Sequence, residues 1–195
     1  MMIRFYCDDG STYDPRLAKL LEKYTFSGIF YIAPFYAKYP MMTINEIKEL
    51  SVLHEIGGHT LNHKLLTRVT KEEQLQEILE GKNEVEDIIQ KKITKFAYPR
   101  GWYNDEVVDS ARKGGFTECR TMKQGSTDIP KDLFRVPVSV HFYPGRWQEW
   151  EAKYQEAKRK DGYFGVVCHA HELEKYTLWD LYENMLKYIY ADINA

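Results

Sequence analysis

Short apolar runs and amphipathic stretches take turns along the chain, separated by glycine, proline and paired polar residues. Residues 2–7 are mostly apolar and aromatic and stop at Asp8-Asp9-Gly10, the pattern of a buried strand ending in a turn. Asp14-Pro15 supplies an N-cap and a first-turn proline for a helix through Leu17, Leu20 and Leu21 to about Tyr24, and Gly28–Ile32 reads as the next strand. Thr43 with Glu46 has the spacing of a capping box, opening a helix through Ile47 and Leu50. His54-Glu55-Ile56-Gly57-Gly58-His59 then reads as a short strand running into a loop. Thr70 with Glu73 caps the longest helix, whose apolar positions Leu75, Ile78, Leu79, Val85, Ile88 and Ile89 keep helical spacing despite Gly81.

The alternation continues through the second half. A strand near Thr94–Tyr98 ends at Pro99, and Asn104 opens a helix through Val107, Val108 and Ala111 to the Gly114-Gly115 stop. Phe116–Arg120 and Arg135–Val140 are further strand candidates, Phe164–Cys168 is the last strand, and Thr177–Tyr190 is the last helix. No linker, repeat or low-complexity segment interrupts the pattern, so residues 1–195 are expected to form a single domain of the α/β class. Strands separated by helices pair in parallel through right-handed crossovers, as an open doubly wound sheet or as a closed barrel. In either, chemistry gathers beyond the carboxyl ends of the strands.

Composition narrows the field of partners. With 27 basic and 29 acidic residues the net charge is −2, and no basic, aromatic-interleaved patch points to nucleic acid or an anionic membrane. The stretch from Thr25 to Ala37 is too short and broken to span a bilayer. Cys7, Cys119 and Cys168 are odd in number and widely spaced, which suits a reducing compartment. The charged start is unlike a signal peptide, so a cytoplasmic location is expected, a mature secreted form being the alternative.

The polar residues just after the strands are Asp8 and Asp9, His59 and His63, Pro99-Arg100-Gly101, and His169 with His171 and Glu172. These are the parts of a metallohydrolase. Two imidazoles and a carboxylate serve a borderline divalent ion and leave positions open for water and a substrate oxygen. His59 and His63 lie four apart, so a tight turn can face both rings toward one ion. Of two adjacent aspartates, one can bind metal while the other takes a proton from the attacking water, and a histidine from the far end of the chain, with His169 the better placed, can protonate the leaving nitrogen.

On these residues the chain resembles the polysaccharide deacetylase family, the NodB-homology domain of carbohydrate esterase family 4. Tyr6-Cys7-Asp8-Asp9-Gly10 is similar to its first motif, His59-Thr60-Leu61-Asn62-His63 to its second, Phe96-Ala97-Tyr98-Pro99-Arg100-Gly101 to its third and Val167-Cys168-His169 to its last. The resemblance implies a distorted (β/α) barrel of about seven parallel strands. It also implies removal of an acetyl group, N-acetyl above all, from an amino sugar or oligosaccharide by a metal-bound water. By motif, Asp8 is then the base, Asp9, His59 and His63 the ligands of one divalent ion (zinc first, with cobalt, manganese or nickel as alternatives), and His169 the acid. The backbone N–H of Arg100 helps hold the oxyanion, and Tyr98, Pro99, Arg100, Trp102, His171 and Glu172 are the candidates to touch the carbohydrate.

Two departures stand out. The family commonly carries an arginine at the second position of the third motif to tether the catalytic aspartate, and here that position is Ala97; Arg135 or the off-register Arg100 is the expected replacement. Arg100 itself replaces a usual aromatic residue, and a guanidinium by the cleft favours an anionic substrate. Plainer readings apply elsewhere. His54 is expected to be structural, since His59 lies one position too far for a His-Glu-x-x-His zinc motif. Cys7 and Cys168 are expected in the core. The rival functions are a small-molecule amidase or deformylase on the same scaffold and a catalytically silent sugar-binding module.

Overall fold

The computed structural model describes residues 1–195. Seven strands form one sheet: β1 (Met2–Asp9), β2 (Gly28–Ile32), β3 (Glu55–Gly58), β4 (Lys95–Ala97), β5 (Glu118–Arg120), β6 (Val140–His141) and β7 (Tyr163–Cys168). Between and after them lie α1 (Asp14–Lys23), α2 (Ile44–Leu53), α3 (Lys71–Ile89), α4 (Asp105–Lys113), α5 (Trp150–Lys160), α6 (Ala170–Lys175) and α7 (Trp179–Ile193). Every pairing is parallel, in the spatial order β5-β4-β3-β2-β1-β7-β6. Strands consecutive in sequence are paired except β5 and β6, which stand at the two ends of the order, and a single bridge, Arg120 with Val136, joins β5 to the segment leading into β6. A doubly wound sheet reverses its order partway. This one runs once round, as a distorted barrel with a narrow seam.

Most elements fall where the hydrophobic pattern puts them. The capping box of Thr43 and Glu46 is formed, and the Thr70 hydroxyl accepts from the Glu73 N–H at the start of α3. Three differences are local. Asp14 is the first residue of α1, with Tyr13 at the cap. The 135–140 segment pairs as a strand only at Val140–His141 and at the Val136 bridge, because Pro137 interrupts it. The helices α5 and α6 were not expected, although in α5 Trp150, Tyr154 and Ala157 keep helical spacing and the last two are buried.

A large apolar cluster packs the outer face of the sheet against the helices, with Phe5 and Cys7 of β1, Phe30, Phe96 and Phe164 among its members. Alternation along β1 sends Arg4, Tyr6 and Asp8 the other way, into the barrel. There they form polar layers. Arg4 donates to Glu118 at 2.6 Å, the hydroxyls of Tyr6 and Tyr163 meet at 2.9 Å, and Asp8 pairs with Arg120 at the top. Space for the tyrosines comes from facing glycines: a Cβ on Gly57 meets the Tyr31 ring at 2.5 Å, and one on Gly165 meets the Tyr163 hydroxyl at 2.0 Å. No helix is long and apolar enough to cross a membrane.

Candidate active site

Asp8 and Asp9 end β1, and simple alternation points only the first inward. Asp9 has φ 85°, a left-handed turn rare outside glycine, and this swings its carboxylate into the barrel mouth beside its neighbour. His59 follows β3, with its N–H on the Ile32 carbonyl. Thr60 and His63 also have positive φ, and the loop between them is held by Glu77 of α3, whose carboxylate accepts from the Asn62 N–H and side-chain amide, both at 2.9 Å. Gly81 lets the loop lie against the helix. A Cβ there approaches the Thr60 carbonyl carbon at 2.5 Å, which accounts for a glycine in the middle of α3.

The three candidate ligands converge. Asp9 Oδ1 lies 3.6 Å from His59 Nε2 and 3.5 Å from His63 Nε2. Two donors about 2.1 Å from a tetrahedral ion stand about 3.4 Å apart, so the spacing fits one divalent cation. Other observations agree with that fit. Asp9 Oδ1 is buried without a hydrogen-bond partner. The His59 Nδ1–H donates to the Ala97 carbonyl at 2.7 Å, which fixes the tautomer and leaves the Nε2 lone pair facing the site. Burial pushes the His63 imidazole down to about 2 and also lowers His59, so both rings are neutral as ligands require.

Asp8 and His169 flank this set, His169 Nε2 4.0 Å from Asp8 Oδ2. Burial pushes the Asp8 carboxyl up, but Arg120, with His59 and His169, more than offsets that and holds it below its usual value. His169 goes the opposite way. Burial lowers it, while its Nδ1–H bond to Glu172 at 2.8 Å and the charges of Asp9 and Asp8 lift it to about 10. Glu172 is in turn held well below the carboxylate range, despite burial, by His141 and His169. The site therefore offers an ionised carboxylate and a protonated imidazole side by side at neutral pH.

The tether of Asp8 is neither Arg135 nor Arg100. Arg135 bonds Asp132 at 2.5 Å and Asp105 at 2.6 Å on the outer surface, and Arg100 pairs with no carboxylate. Arg120 takes the role from β5, fully buried, with its guanidinium on Asp8 Oδ2. Ala97 and Arg120 are paired residues in the β4–β5 register. The small side chain on one strand leaves the room that the large one fills from the next.

A cavity of about 380 Å³ opens over these groups. Of the residues expected to meet substrate, Arg100, His171 and Glu172 line it. Tyr98, Pro99 and Trp102 do not. Alternation along β4 places Ala97 inward and Tyr98 outward, where Tyr98 is stacked on Tyr103 and bonded to the Phe134 carbonyl at 3.0 Å. Pro99 is buried, and Trp102 lies on the outer surface under Arg68. In their place the loop after β2 brings Tyr36, stacked on His63 at 4.3 Å, and Tyr39, stacked on His171 at 3.9 Å. Lys38, Met122, His141, Tyr143 and Arg146 also reach the cavity. No spacing rule singles these out, though His141 ends a strand, as the other site residues do. His54 is structural, accepting from the Gly28 N–H and facing Glu22 at 3.0 Å, and the three cysteines are buried and free.

Fold and site together define a distorted (β/α) barrel with a candidate metal centre at the carboxyl ends of its strands. The chain belongs to the polysaccharide deacetylase family, whose sequence profile matches residues 2–119. It is similar to a peptidoglycan-N-acetylglucosamine deacetylase of Bacillus cereus, 31% identical over 111 residues that make up 56% of this chain and 51% of that one. The chain spans about half the length of the curated relatives it matches. Among solved structures, a Mycobacterium smegmatis protein named for the same family covers 97% of this chain and 84% of its own, with TM-score 0.79 and 14% identity. The Streptococcus pyogenes deacetylase PplD, in complex with acetate, covers 69% and 62% with TM-score 0.64 and 19% identity. Both likenesses concern the fold.

Proposed function

We propose that the chain is a metal-dependent hydrolase that removes an acetyl group, N-acetyl first, from an amino sugar or short oligosaccharide. The observation that carries this reading is the convergence of Asp9, His59 and His63, spaced for one ion, with Asp8 and His169 4.0 Å apart beside them. Asp9, His59 and His63 would hold that ion, with zinc favoured by the two-imidazole, one-carboxylate set. When bound, it supplies a Lewis acid for the acetyl carbonyl and lowers the pKa of water.

The chain's own residues do the rest. Asp8 takes the proton of the attacking water, its orientation fixed by Arg120. His169 gives its Nε2 proton to the leaving nitrogen, and Glu172 keeps the ring turned and charged. The N–H of Arg100, at the turn after β4, is the candidate donor to the oxyanion, and Arg100 lines the cavity. The products are acetate and a free amine.

The test is acetate release from N-acetylglucosamine and its short oligomers by the zinc-loaded protein. Asp8→Asn should reduce turnover by about a thousandfold or more and retain zinc, whereas His63→Ala should lose both. Formate or ammonia in place of acetate would move the reading to an amidase or deformylase. Sugar binding without any turnover would make the chain a silent module.

A further inference from the structure

The charges deep in the cavity are matched. Asp8 pairs with Arg120, Glu172 with His169, and Asp9 with the cation its neighbours are spaced to hold. The charges at the rim are not. Lys38, Arg100 and Arg146 line the same cavity, all three are exposed, and none enters the cavity's ion pairs. Lys38 stands on the loop that brings Tyr36 and Tyr39 to the cavity, its ammonium 5.0 Å from the centre of the Tyr39 ring, and Tyr36 stacks on His63. Arg146 stands on the His169 side. Its N–H bonds the Tyr143 carbonyl at 2.9 Å, and Tyr143 stacks on His141, which lies against His169.

Arg100 is also held in an unfavourable conformation. It has φ 56° and ψ 11°, followed by Gly101 at φ 73°. Glycine adopts this turn freely and arginine does not, so the side chain is kept where the backbone would favour its absence. Folding alone gives no reason for a guanidinium there, because it pairs with nothing in the protein.

We propose that the substrate of this site is an acetylated sugar bearing an anionic oxygen group, a phosphate or a carboxylate, held at the rim by Lys38 and Arg100 with Arg146 facing it. This rests on the deacetylase reading and narrows its substrate class. A planar guanidinium can grip two oxygens of either anion, and the ammonium of Lys38 adds a point charge without geometric demands. The cations are exposed on the cavity lining whereas Asp8 is buried and His169 half-buried, so the anion is placed on a part of the sugar remote from the acetyl group. Its binding then orients the sugar and leaves the chemistry below unchanged.

The experiment compares N-acetylglucosamine, its 6-phosphate and an N-acetylated hexosaminuronic acid on the zinc-loaded protein. The expected result is a kcat/KM for an anionic sugar about tenfold or more above the neutral one, falling as salt is raised. The phosphate and carboxylate arms tell which anion is preferred. Arg100→Gln and Lys38→Met should each shrink the anionic-to-neutral ratio severalfold. Calorimetry with the zinc-loaded Asp8→Asn protein and the same sugars reads binding independently of turnover. Equal affinity for neutral and anionic sugars there, insensitive to salt and to Arg100→Gln, overturns the proposal. Absence of acetate from every sugar in the wild-type assay defeats the deacetylase reading instead, and the two failures are separable.

Discussion

Replacing Arg120 by Met tests the link between barrel packing and the candidate base. Methionine keeps much of the volume and removes the charge, so the main effect is on Asp8, left buried without its bonded cation and with only His169, 4.0 Å away, as a positive neighbour. Burial is already the largest influence on that carboxyl, and without the guanidinium it drives the folded-state pKa up. Removing one partner of a buried pair destabilises by about 3–5 kcal/mol. A second estimate agrees: the folded protein escapes the unpaired charge by binding a proton, and holding one at pH 7 on a group of normal value 3.8 costs at most about 4 kcal/mol.

The sign of the pH dependence separates this account from a generic packing defect. In the wild type, Asp8 is depressed on folding, so its contribution is present above pH 3.8 and is lost as pH falls through the lower folded value. In Arg120→Met the folded value lies above 3.8, so stability falls as pH rises from there, by up to about 1.4 kcal/mol per pH unit. Urea denaturation of the metal-free proteins between pH 4 and 7 should therefore show the wild type and variant diverging with pH. Turnover should decline with its acidic limb moved upward, as expected of a base that has become harder to ionise. Moving the arginine to its register partner, Ala97→Arg with Arg120→Ala, should restore part of the activity and the original limb. A constant stability gap across pH, with an unmoved limb, would refute the tether.

Three further perturbations read other parts of the site. Gly81→Ala should destabilise by about 1–3 kcal/mol despite alanine's helix preference of about 1 kcal/mol, because its Cβ meets the Thr60 backbone at 2.5 Å, and zinc retention should weaken as the His63 loop shifts; an unchanged urea midpoint would contradict it. Glu172→Gln removes the hydrogen-bond partner that leads in raising His169, so the alkaline limb of kcat/KM, where the acid loses its proton, should move down by about one unit or more; an unmoved limb would exclude His169 as the acid. Asp14, buried and pushed up to about 8 by burial against bonds from Ser11 and Cys7, retains a proton that the unfolded chain releases above pH 3.8. Its ionisation therefore lowers stability as pH rises from about 4 to 8, and Asp14→Asn should flatten that slope in urea titrations.

The barrel and its candidate centre were legible because both follow from local pattern. Apolar runs bounded by turn residues mark the strands, and the residues one or two places beyond each run fall at one end of the barrel whatever the helices between them do. Asp8, Asp9, His59 and His169 satisfy that rule, and His63, five residues past β3, is turned back to the same end by the positive φ of Thr60 and of His63 itself. Of the residues expected to touch the carbohydrate, Arg100, His171 and Glu172 line the cavity, whereas Tyr98, Pro99 and Trp102 do not, because for them proximity to a motif along the chain was read as proximity to the cavity. Tyr98 follows an inward Ala97 by one residue, and a period of two sends it into the outer core.

Arg120 shows a different limit. It stands 23 positions after Ala97, in a strand candidate with nothing to mark it as part of the site, and only the β4–β5 register makes the two residues neighbours. A charged side chain at the carboxyl end of a buried strand is itself a signal, since it is carried into the interior only with a partner. Arg120 and Glu118 are two apart on β5, and Asp8 and Arg4 are four apart on β1. Opposite charges thus meet in two layers, Arg4 with Glu118 below and Asp8 with Arg120 above. Periodicity shows that each of these residues faces inward, but not which strands adjoin. Once β5 is placed beside β4, the arginine missing from the third motif and the buried arginine without a role become one observation: the tether is present, carried by the paired residue of the next strand.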